Sequence, residues 1–240
     1  MAELSQAEQK KLVGAYAVDK LLEEGLIFSG MKIGLGTGST AMPAVERIAH
    51  HIKAGTLKDI KAVSTSFQTT IACEQLGIPV YSMNAAAIGG QLDLAIDGAD
   101  EISPENHLIK GGGAALLLEK IVAYNAKQFV VVADSSKDVP HLGTAFALPV
   151  EIIAEARSSL VRQLEALGAQ CTLREGVRKA GPVVTDNGNL ILDLLWKEPV
   201  DAATLENTIK SMVGVVEVGF FTKNNPRCYI ARKDGSVTVR

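Results

Sequence analysis

The sequence predicts an α/β fold in which a mainly parallel sheet has helices on both faces, followed by a smaller α+β domain. Strand-like and helix-like segments alternate up to about residue 145, as crossover connections between parallel strands require. Phe129–Asp134 is a continuous apolar run rich in valine, which is typical of a strand buried on both faces. Beyond about residue 145 the strand-like segments are shorter and less regularly spaced, which favours an α+β unit.

Each element follows from its local pattern. Apolar residues at helical spacing predict a first helix between Leu4 and Leu22, which Gly25 would end. Further helices are predicted at about residues 40–54, 66–77, 113–126, 155–168 and 201–212. The predicted strands are Met31–Gly36, Ile60–Thr65, Pro79–Met83, Leu92–Asp97, Phe129–Asp134, Ala147–Ile153, Gln170–Arg174, Val183–Thr185 and Leu190–Asp193. Thr185–Asn189 has the composition of a tight turn and predicts a hairpin. We therefore expect one domain of residues 1–144 and 221–240, and a small α+β domain of residues 145–220.

Composition limits the class of protein. The 240 residues are 47% hydrophobic and 21% charged, which indicates a folded globular chain. A net charge of −3 gives no field that would attract nucleic acid or an anionic membrane. No run of 18 apolar residues and no signal-peptide core occurs. The three cysteines are far apart, which indicates reduced thiols and no zinc site. We expect a cytoplasmic protein.

A glycine-rich loop, Gly34–Thr40, follows the first predicted strand. Glycines let backbone N–H groups approach an anion, and the hydroxyls of Ser39 and Thr40 add donors at the start of a helix. The loop matches neither of the two common nucleotide-binding motifs. It is interpreted as a cradle for the phosphate of a small molecule, and the alternative is a tight strand-to-helix turn.

Three carboxylates follow the strand Leu92–Ile96 within five residues, in the segment Asp97–Glu101. Carboxylates this close repel one another unless a ligand or a donor stabilises them. They could bind sugar hydroxyls, transfer protons or hold a hard cation. The alternative is a solvated acidic turn.

Lys110 precedes three glycines, Gly111–Gly113, and a predicted helix that contains Glu119. Three successive glycines are costly to order, so a close backbone approach to a ligand is a plausible reason for them. Glu119 lies on a row of alanines, leucine and valine, where burial disfavours its charged form and suits a general acid or base. The alternative is that Glu119 lies at the edge of the apolar row and reaches solvent.

A further polar segment, Asp134–Lys137, follows the most strand-like run. Lys137 is placed to face an anionic ligand at the carboxyl edge of the sheet, or it is an exposed loop lysine. The four histidines show no metal-ligand spacing.

Together these motifs resemble the ribose-5-phosphate isomerase type A family. The resemblance lies in Gly36–Thr40, Asp97–Glu101, Lys110–Gly113 with Glu119, and Ala133–Lys137, in the order and at the spacing of the family. It continues through Leu148–Glu151, Ala156-Arg157, Val184–Asn189 and Val213–Val216. It implies a Rossmann-like domain with a small α+β domain, no metal and no cofactor, and a homodimer or homotetramer. It also implies interconversion of D-ribose 5-phosphate and D-ribulose 5-phosphate through an enediol(ate).

The resemblance also implies residue roles. Glu119 is expected to be the base that moves a proton between C1 and C2, as a glutamate does in triosephosphate isomerase. Lys110 and the amides of the three glycines would stabilise negative charge. Asp97 and Asp100 would hold hydroxyls and assist proton transfer. The other expected substrate-binding residues are Thr37, Gly38, Ser39, Thr40, Gly98, Ala99, Gly111, Gly112, Gly113 and Lys137.

The alternative functions are a sugar-phosphate sensor and a deaminating isomerase. A sugar-phosphate sensor would need a DNA-binding segment, whereas one helix alone precedes the first strand. A deaminating isomerase of amino-sugar phosphates is disfavoured by the pairing of Asp97–Asp100 with Lys110–Gly113.

Overall fold

The computed structural model describes residues 3–240, and the chain divides into two compact units. The first unit contains the chain up to Ala99 together with Leu118–Asp138 and Asn224–Arg240. The second contains Asp100–Leu117 and Val139–Lys223.

The predicted helices are confirmed, most of them shorter at their ends. They are α1 (Gln6–Glu23), α2 (Met42–Lys53), α3 (Phe67–Leu76), α4 (Leu116–Tyr124), α5 (Arg157–Glu165) and α6 (Ala202–Lys210). Local signals set their ends. At the start of α1 the Ser5 hydroxyl accepts from the N–H of Glu8, and the Glu8 carboxylate accepts from the N–H of Ser5, which is a capping box. α3 ends at Gly77, whose φ of 76° is left-handed.

The strands, in chain order, are β1 (Lys32–Leu35), β2 (Lys61–Ser64), β3 (Leu92–Asp97), β4 (Glu101–Ile102), β5 (Leu108–Ile109), β6 (Ala126–Asp134), β7 (Leu148–Ile152), β8 (Gln170–Leu173), β9 (Leu190–Leu195), β10 (Val215–Val218), β11 (Phe220–Phe221), β12 (Arg227–Ala231) and β13 (Val237–Val239). The two-residue strands β4, β5 and β11 are too short to show a pattern in the sequence.

The first unit is built on a six-stranded sheet of order β13-β12-β6-β3-β1-β2. All its neighbouring strands are parallel except β13, which pairs antiparallel with β12. The chain leaves β1 toward β2 on one side and returns to β3 on the other, so the strand order reverses between β1 and β3. Ligands of open α/β sheets bind at the carboxyl ends of the strands beside such a reversal.

Helices cover both faces of this sheet. Ile33 and Leu35 of β1 belong to the same buried cluster as Val18 of α1 and Ile48 of α2. Side chains alternate along a strand, so Gly34 between them faces the other side, and there α4 packs closely. The predicted α/β class with helices on both faces is therefore confirmed.

The second unit contains a four-stranded antiparallel sheet of order β10-β7-β9-β8 and a three-stranded sheet of order β11-β5-β4. Leu148, Val150 and Ile152 of β7 are fully buried in a core that includes Leu160 of α5 and Ile209 of α6. Helices and antiparallel strands thus share one core, as the α+β prediction expected.

Two predicted strands are wrong, because the pairing of each segment is limited to a single bridge. Residues 79–83 form a single bridge, between Val80 and Ala62, and residues 183–185 follow a single bridge between Pro182 and Glu175. The chain turns soon after each bridge: the N–H of Ala85 bonds to the carbonyl of Ser82 at 3.0 Å, and residues 183–185 lead directly into the turn at residues 185–189. The predicted turn at residues 185–189 is present, with the N–H of Gly188 bonded to the carbonyl of Thr185 at 2.9 Å. Strand β9 follows this turn, but among the described residues no strand leads into it, so the predicted hairpin is wrong.

The structural division differs from the sequence-based domain boundaries. Residues 100–117, 139–144 and 221–223, which the sequence analysis places in the first domain, group with the second unit. The physical reason is that β4 and β5 pair with each other and with β11. The boundary near residue 145 stays a prediction.

The structure also bears on two earlier expectations, that no segment spans a membrane and that the cysteines are reduced. None of the helices within residues 3–240 is long and apolar enough to cross a membrane. Cys73, Cys171 and Cys228 are free thiols, and burial raises the pKa of Cys73 to about 11.

Candidate active site

The loop Gly36–Thr40 joins β1 to α2 at the reversal point of the sheet. Gly36 donates its N–H to the carbonyl of Ile96 at 2.9 Å, and a Cβ on Gly36 would lie 2.0 Å from Asp97 Oδ1. A side chain is therefore excluded at this position. Gly38 has a φ of +90°, which other residues rarely adopt.

The loop leads into a helix N-terminus that the protein leaves open. α2 begins at Met42, and Ala41 before it provides no side-chain cap. Among residues 3–240 nothing accepts a hydrogen bond from the N–H groups of residues 38–41. Uncapped N–H groups at a helix start attract an anion, so the loop is suited to hold a phosphate.

Lys10 of α1 also contacts this loop, which the sequence analysis did not predict. Its Nζ donates to Ser39 Oγ at 3.1 Å, which adds a positive charge to the open N-terminus. In the sequence Lys10 is one of several charged residues on an exposed helix face, and only the packing of α1 against α2 brings it to the loop.

Asp97 is bound directly to the same loop. The carboxylate is 3% exposed, and its Oδ1 accepts from the N–H of Thr37 at 3.1 Å and from the N–H of Gly98 at 2.7 Å. A Cβ on Gly98 would lie 3.5 Å from the Cβ of Thr40. Thus residues 97–98 and 37–40, predicted separately, form one structure in which two amides fix the carboxylate.

Glu119 lies in α4 and is 6% exposed, so the alternative that it reaches solvent from the edge of the helix is disfavoured. Val122, one turn later on the same face, packs on β1 so closely that a Cβ on Gly34 would lie 2.3 Å from Val122 Cγ1. The spacing of three residues places Glu119 on the face of α4 that packs against the sheet.

Lys137 belongs to a short 3-10 turn, Ser135–Lys137, which two buried side chains hold. Asp134 Oδ1 accepts from the N–H of Ser136 at 3.0 Å and from its hydroxyl at 2.5 Å. Gln9 Oε1 accepts from the N–H of Ser135 at 3.1 Å and from its hydroxyl at 2.9 Å. These bonds fix the backbone that carries Lys137 at the end of β6.

In the second unit, Asp100 holds the glycine loop. Its Oδ2 accepts from the N–H of Gly112 at 2.8 Å, and a Cβ on Gly112 would lie 2.6 Å from Asp100 Oδ1. Gly111 has a φ of +102°. Lys110 is 2% exposed, and its Nζ lies 5.8 Å from the centre of the Phe221 ring. This unit therefore contains a buried lysine and a glycine loop in which Asp100 holds one of the backbone N–H groups.

Arg174, which follows β8, is a second residue that the sequence analysis missed. Its Nη1 donates to the carbonyls of Gly111 and Gly112 at 2.9 and 3.0 Å. A two-point ion pair with Asp193 holds the guanidinium in place, with Nε bonded to Oδ2 at 2.8 Å. By fixing both carbonyls, Arg174 sets the direction of the glycine amides. No motif in the sequence indicates this role.

Glu101, the third carboxylate of this segment, holds a different part of the backbone. It is 2% exposed, and its carboxylate accepts from the N–H groups of Gly143 and Phe146, each at 2.8 Å. The acidic segment is thus not a solvated turn. Backbone amides stabilise each of its three carboxylates separately, and among the described residues no group of three or more His, Cys, Asp or Glu side chains could hold a metal ion.

The predicted site residues therefore occur as two groups. The first unit contains Thr37–Thr40, Asp97–Ala99, Glu119 and Lys137, and the second contains Asp100 and Lys110–Gly113. One hydrogen bond links Asp97 to the loop through the N–H of Thr37, and another links Asp100 to Gly112. Ala99 is half-buried and Gly113 is exposed.

Comparison with known proteins shows similarity along nearly the whole chain. Residues 61–235 match the family model of ribose 5-phosphate isomerase A (phosphoriboisomerase A). The ribose-5-phosphate isomerase A of Treponema denticola is 59% identical over 236 residues, which are 98% of this chain and 99% of the relative. The structure of ribose 5-phosphate isomerase A from Methanocaldococcus jannaschii superposes with a TM-score of 0.89 at 39% identity, covering 98% of this chain and 99% of the other. A structure of D-ribose-5-phosphate isomerase in complex with phospho-erythronic acid gives a TM-score of 0.91 at 34% identity, covering 99% of this chain and all (100%) of the other.

Proposed function

The chain belongs to the ribose 5-phosphate isomerase A family, and from this premise we propose how its residues divide the reaction. The protein is an aldose–ketose isomerase that interconverts D-ribose 5-phosphate and D-ribulose 5-phosphate in the non-oxidative branch of the pentose phosphate pathway. The reaction moves one proton between C2 and C1 and one between the oxygens O1 and O2, through an enediol(ate). It therefore needs a base at carbon, a group that transfers protons at oxygen, and donors for the developing negative charge.

Glu119 is the base at carbon. It is a carboxylate at 6% exposure, where excluded water strengthens its interactions with a substrate. Asp97 serves the substrate oxygens, since two amides already fix its Oδ1. Residues Gly38–Thr40 bind the phosphate with Lys10 and Lys137, because the open N-terminus of α2 provides N–H donors.

The second unit supplies the donors for negative charge. Lys110 and the amides of Gly111–Gly113 stabilise the enediolate oxygen, and Asp100 assists at a hydroxyl while it holds Gly112. Phospho-erythronic acid, the ligand of the related structure, is a four-carbon sugar acid phosphate. Its carboxylate has the planar shape and the charge of an enediolate, which supports a role for donors that stabilise negative charge.

One observation carries the proposal most directly: the hydrogen bond of 3.1 Å from the N–H of Thr37 to Asp97 Oδ1. This bond joins an anion-binding loop to a buried carboxylate. Isomerisation of a phosphorylated sugar needs both groups, one to bind the phosphate and one to transfer a proton at oxygen. A tight turn alone does not explain a loop that ends in uncapped amides and holds an acid.

The proposal is tested by adding D-ribose 5-phosphate to the purified protein and measuring ketose formation. An isomerase converts the sugar to an equilibrium mixture. A sugar-phosphate sensor would bind it without conversion, and a deaminating isomerase would release ammonia only from an amino-sugar phosphate. Either of these last outcomes would overturn the assignment.

Location and assembly belong to the same proposal. A net charge of −3 supports an enzyme with no nucleic-acid or membrane partner, and the three free thiols support a cytoplasmic location. The family resemblance supports a homodimer or homotetramer, which size-exclusion chromatography with light scattering would test.

A further inference from the structure

Behind the phosphate loop lies a cluster of four hydroxyl groups, which we call the hydroxyl cluster: Thr37, Thr65, Ser66 and Thr69. Thr65 and Ser66 follow β2, and Thr69 lies in the first turn of α3. Thr69 is fully buried, and Thr65 and Ser66 are 1% and 7% exposed. The division of labour proposed above uses none of the last three.

The contacts within the cluster are short. Thr37 Oγ1 lies 2.7 Å from Thr65 Oγ1 and donates to Ser66 Oγ at 2.7 Å. Thr69 Oγ1 lies 3.3 Å from Ser66 Oγ and 3.2 Å from Thr37 Oγ1, and it donates to the carbonyl of Gly36 at 2.8 Å. Ser66 Oγ also accepts from the N–H of Thr69 at 3.2 Å as the cap of α3.

A hydroxyl has one proton and two acceptor sites, which assigns a direction to the whole chain of bonds. Because Thr37 gives its proton to Ser66, the bond between Thr65 and Thr37 must be donated by Thr65. Ser66 already accepts from two donors, so its own proton points to Thr69. Thr69 in turn donates to the Gly36 carbonyl, which has no proton to give.

The bonds therefore run from Thr65 to Thr37, Ser66, Thr69 and finally the Gly36 carbonyl. This chain of bonds begins after β2 and ends on the loop at Gly36, and it passes through the hydroxyl of Thr37. Hydrogen bonds in such a chain polarise one another and strengthen together. The Thr37 hydroxyl is thereby committed to the protein interior, and its N–H is committed to Asp97.

We propose that Thr69 is a positioning residue for phosphate binding, and that the hydroxyl cluster fixes Gly36 and Thr37 so that the amides of Gly38–Thr40 converge on the phosphate. This inference rests on the proposed binding of phosphate by that loop. Loss of the Thr69 hydroxyl leaves the Gly36 carbonyl buried without its donor, and the cost is relieved only if the loop moves.

The test compares Thr69→Val with Thr70→Val. Both substitutions replace a hydroxyl by a methyl group at consecutive positions of α3. Thr70 is a matched control, because its hydroxyl contacts Ser64 Oγ at 2.7 Å and the carbonyl of Ser66 at 3.1 Å but not the loop. A second variant, Thr69→Ser, keeps the hydroxyl and should restore the wild-type values.

We expect Thr69→Val to raise KM for D-ribose 5-phosphate, and Ki for inorganic phosphate as a competitive inhibitor, by about tenfold, the effect of one lost buried hydrogen bond. The value of kcat should fall less than about threefold. Thr70→Val should leave both KM and Ki unchanged. Thr65→Val removes the first donor of the chain, and we expect it to raise Ki in the same direction by a smaller factor, which keeps the test decisive if Thr69→Val fails to fold.

Unchanged KM and Ki in folded Thr69→Val, or equal changes in Thr69→Val and Thr70→Val, would overturn the proposal. A loss of kcat with no rise in Ki would do the same, since it indicates a purely structural role. Thr40→Val separates this failure from that of the proposed function. If Thr40→Val raises Ki while Thr69→Val does not, only the positioning role is wrong. The loop does not bind phosphate if Ki is unchanged in both of these variants and also in Gly38→Ala, which displaces the loop amides themselves because alanine disfavours a φ of +90°.

Discussion

Replacing Glu119 by glutamine removes the proposed base with the least other change. The amide keeps the size of the side chain and most of its hydrogen bonding but cannot accept a proton from carbon. General acid–base assistance is worth about 10²–10⁴-fold, which corresponds to about 2.7–5.5 kcal/mol of activation free energy. We expect kcat for ribose 5-phosphate isomerisation to fall by at least 10²-fold.

The fold should tolerate this change. Glu119 is 6% exposed, so a neutral amide lowers the cost of burying the side chain. Glu119 also lies in the first turn of α4, where a negative charge interacts favourably with the helix dipole by about 0.3–1 kcal/mol. The two effects oppose each other, so the melting temperature should stay within about 4 °C of the wild type.

Two measurements test the role. Ketose formation gives kcat, and incorporation of deuterium at C2 of ribose 5-phosphate in deuterated buffer reports proton abstraction without turnover. Both should be lost together in Glu119→Gln, whereas Glu74→Gln, at an exposed position of α3, should retain both. Near-normal turnover, or exchange at C2 at the wild-type rate, would refute the assignment, and Asp97 would then be the first alternative to examine.

Three further predictions follow from the site and its surroundings. Lys110→Ala should lower kcat by about 10²–10³-fold with a smaller change in KM, and a rise in KM alone would make Lys110 a general binding residue. Activity should survive exhaustive treatment with EDTA, because no metal-ligand spacing occurs in the sequence; a loss that magnesium reverses would recast Asp97–Glu101 as a cation site. The bond from Lys127, and then the N–H of Lys32, lower the pKa of Asp93, so its stabilising effect is complete above the unfolded pKa of about 3.9 and is lost as the pH falls through the folded value. Asp93→Asn should therefore lower the free energy of unfolding by about 1 kcal/mol at pH 7 and by less at pH 3 in urea titrations, and an equal loss at both pH values would contradict this account.

The alternation of helices and strands, and the chemical groups at the strand ends, could be predicted from local patterns in the chain. Periodicity located the helices, and β3 was predicted with the bounds that it has, Leu92–Asp97, because local patterns are formed by residues close in the chain. The same holds for Gly36–Thr40 and Lys110–Gly113, where glycine, lysine and hydroxyl residues are recognisable without their partners.

The hydrogen-bond partners of these groups could not be predicted, because they come from distant parts of the chain. The sequence presents Asp97, Asp100 and Glu101 as one acidic cluster, yet each carboxylate accepts hydrogen bonds from different backbone amides, and Glu101 has no proposed role besides this structural one. Lys10 and Arg174 reach the two loops from distant positions in the chain, and the hydroxyl of Thr69 reaches Gly36 from another helix. Such contacts depend on distances between elements, which periodicity does not encode, and short pairings such as β4 with β5 are stabilised by their neighbours rather than by their own two residues.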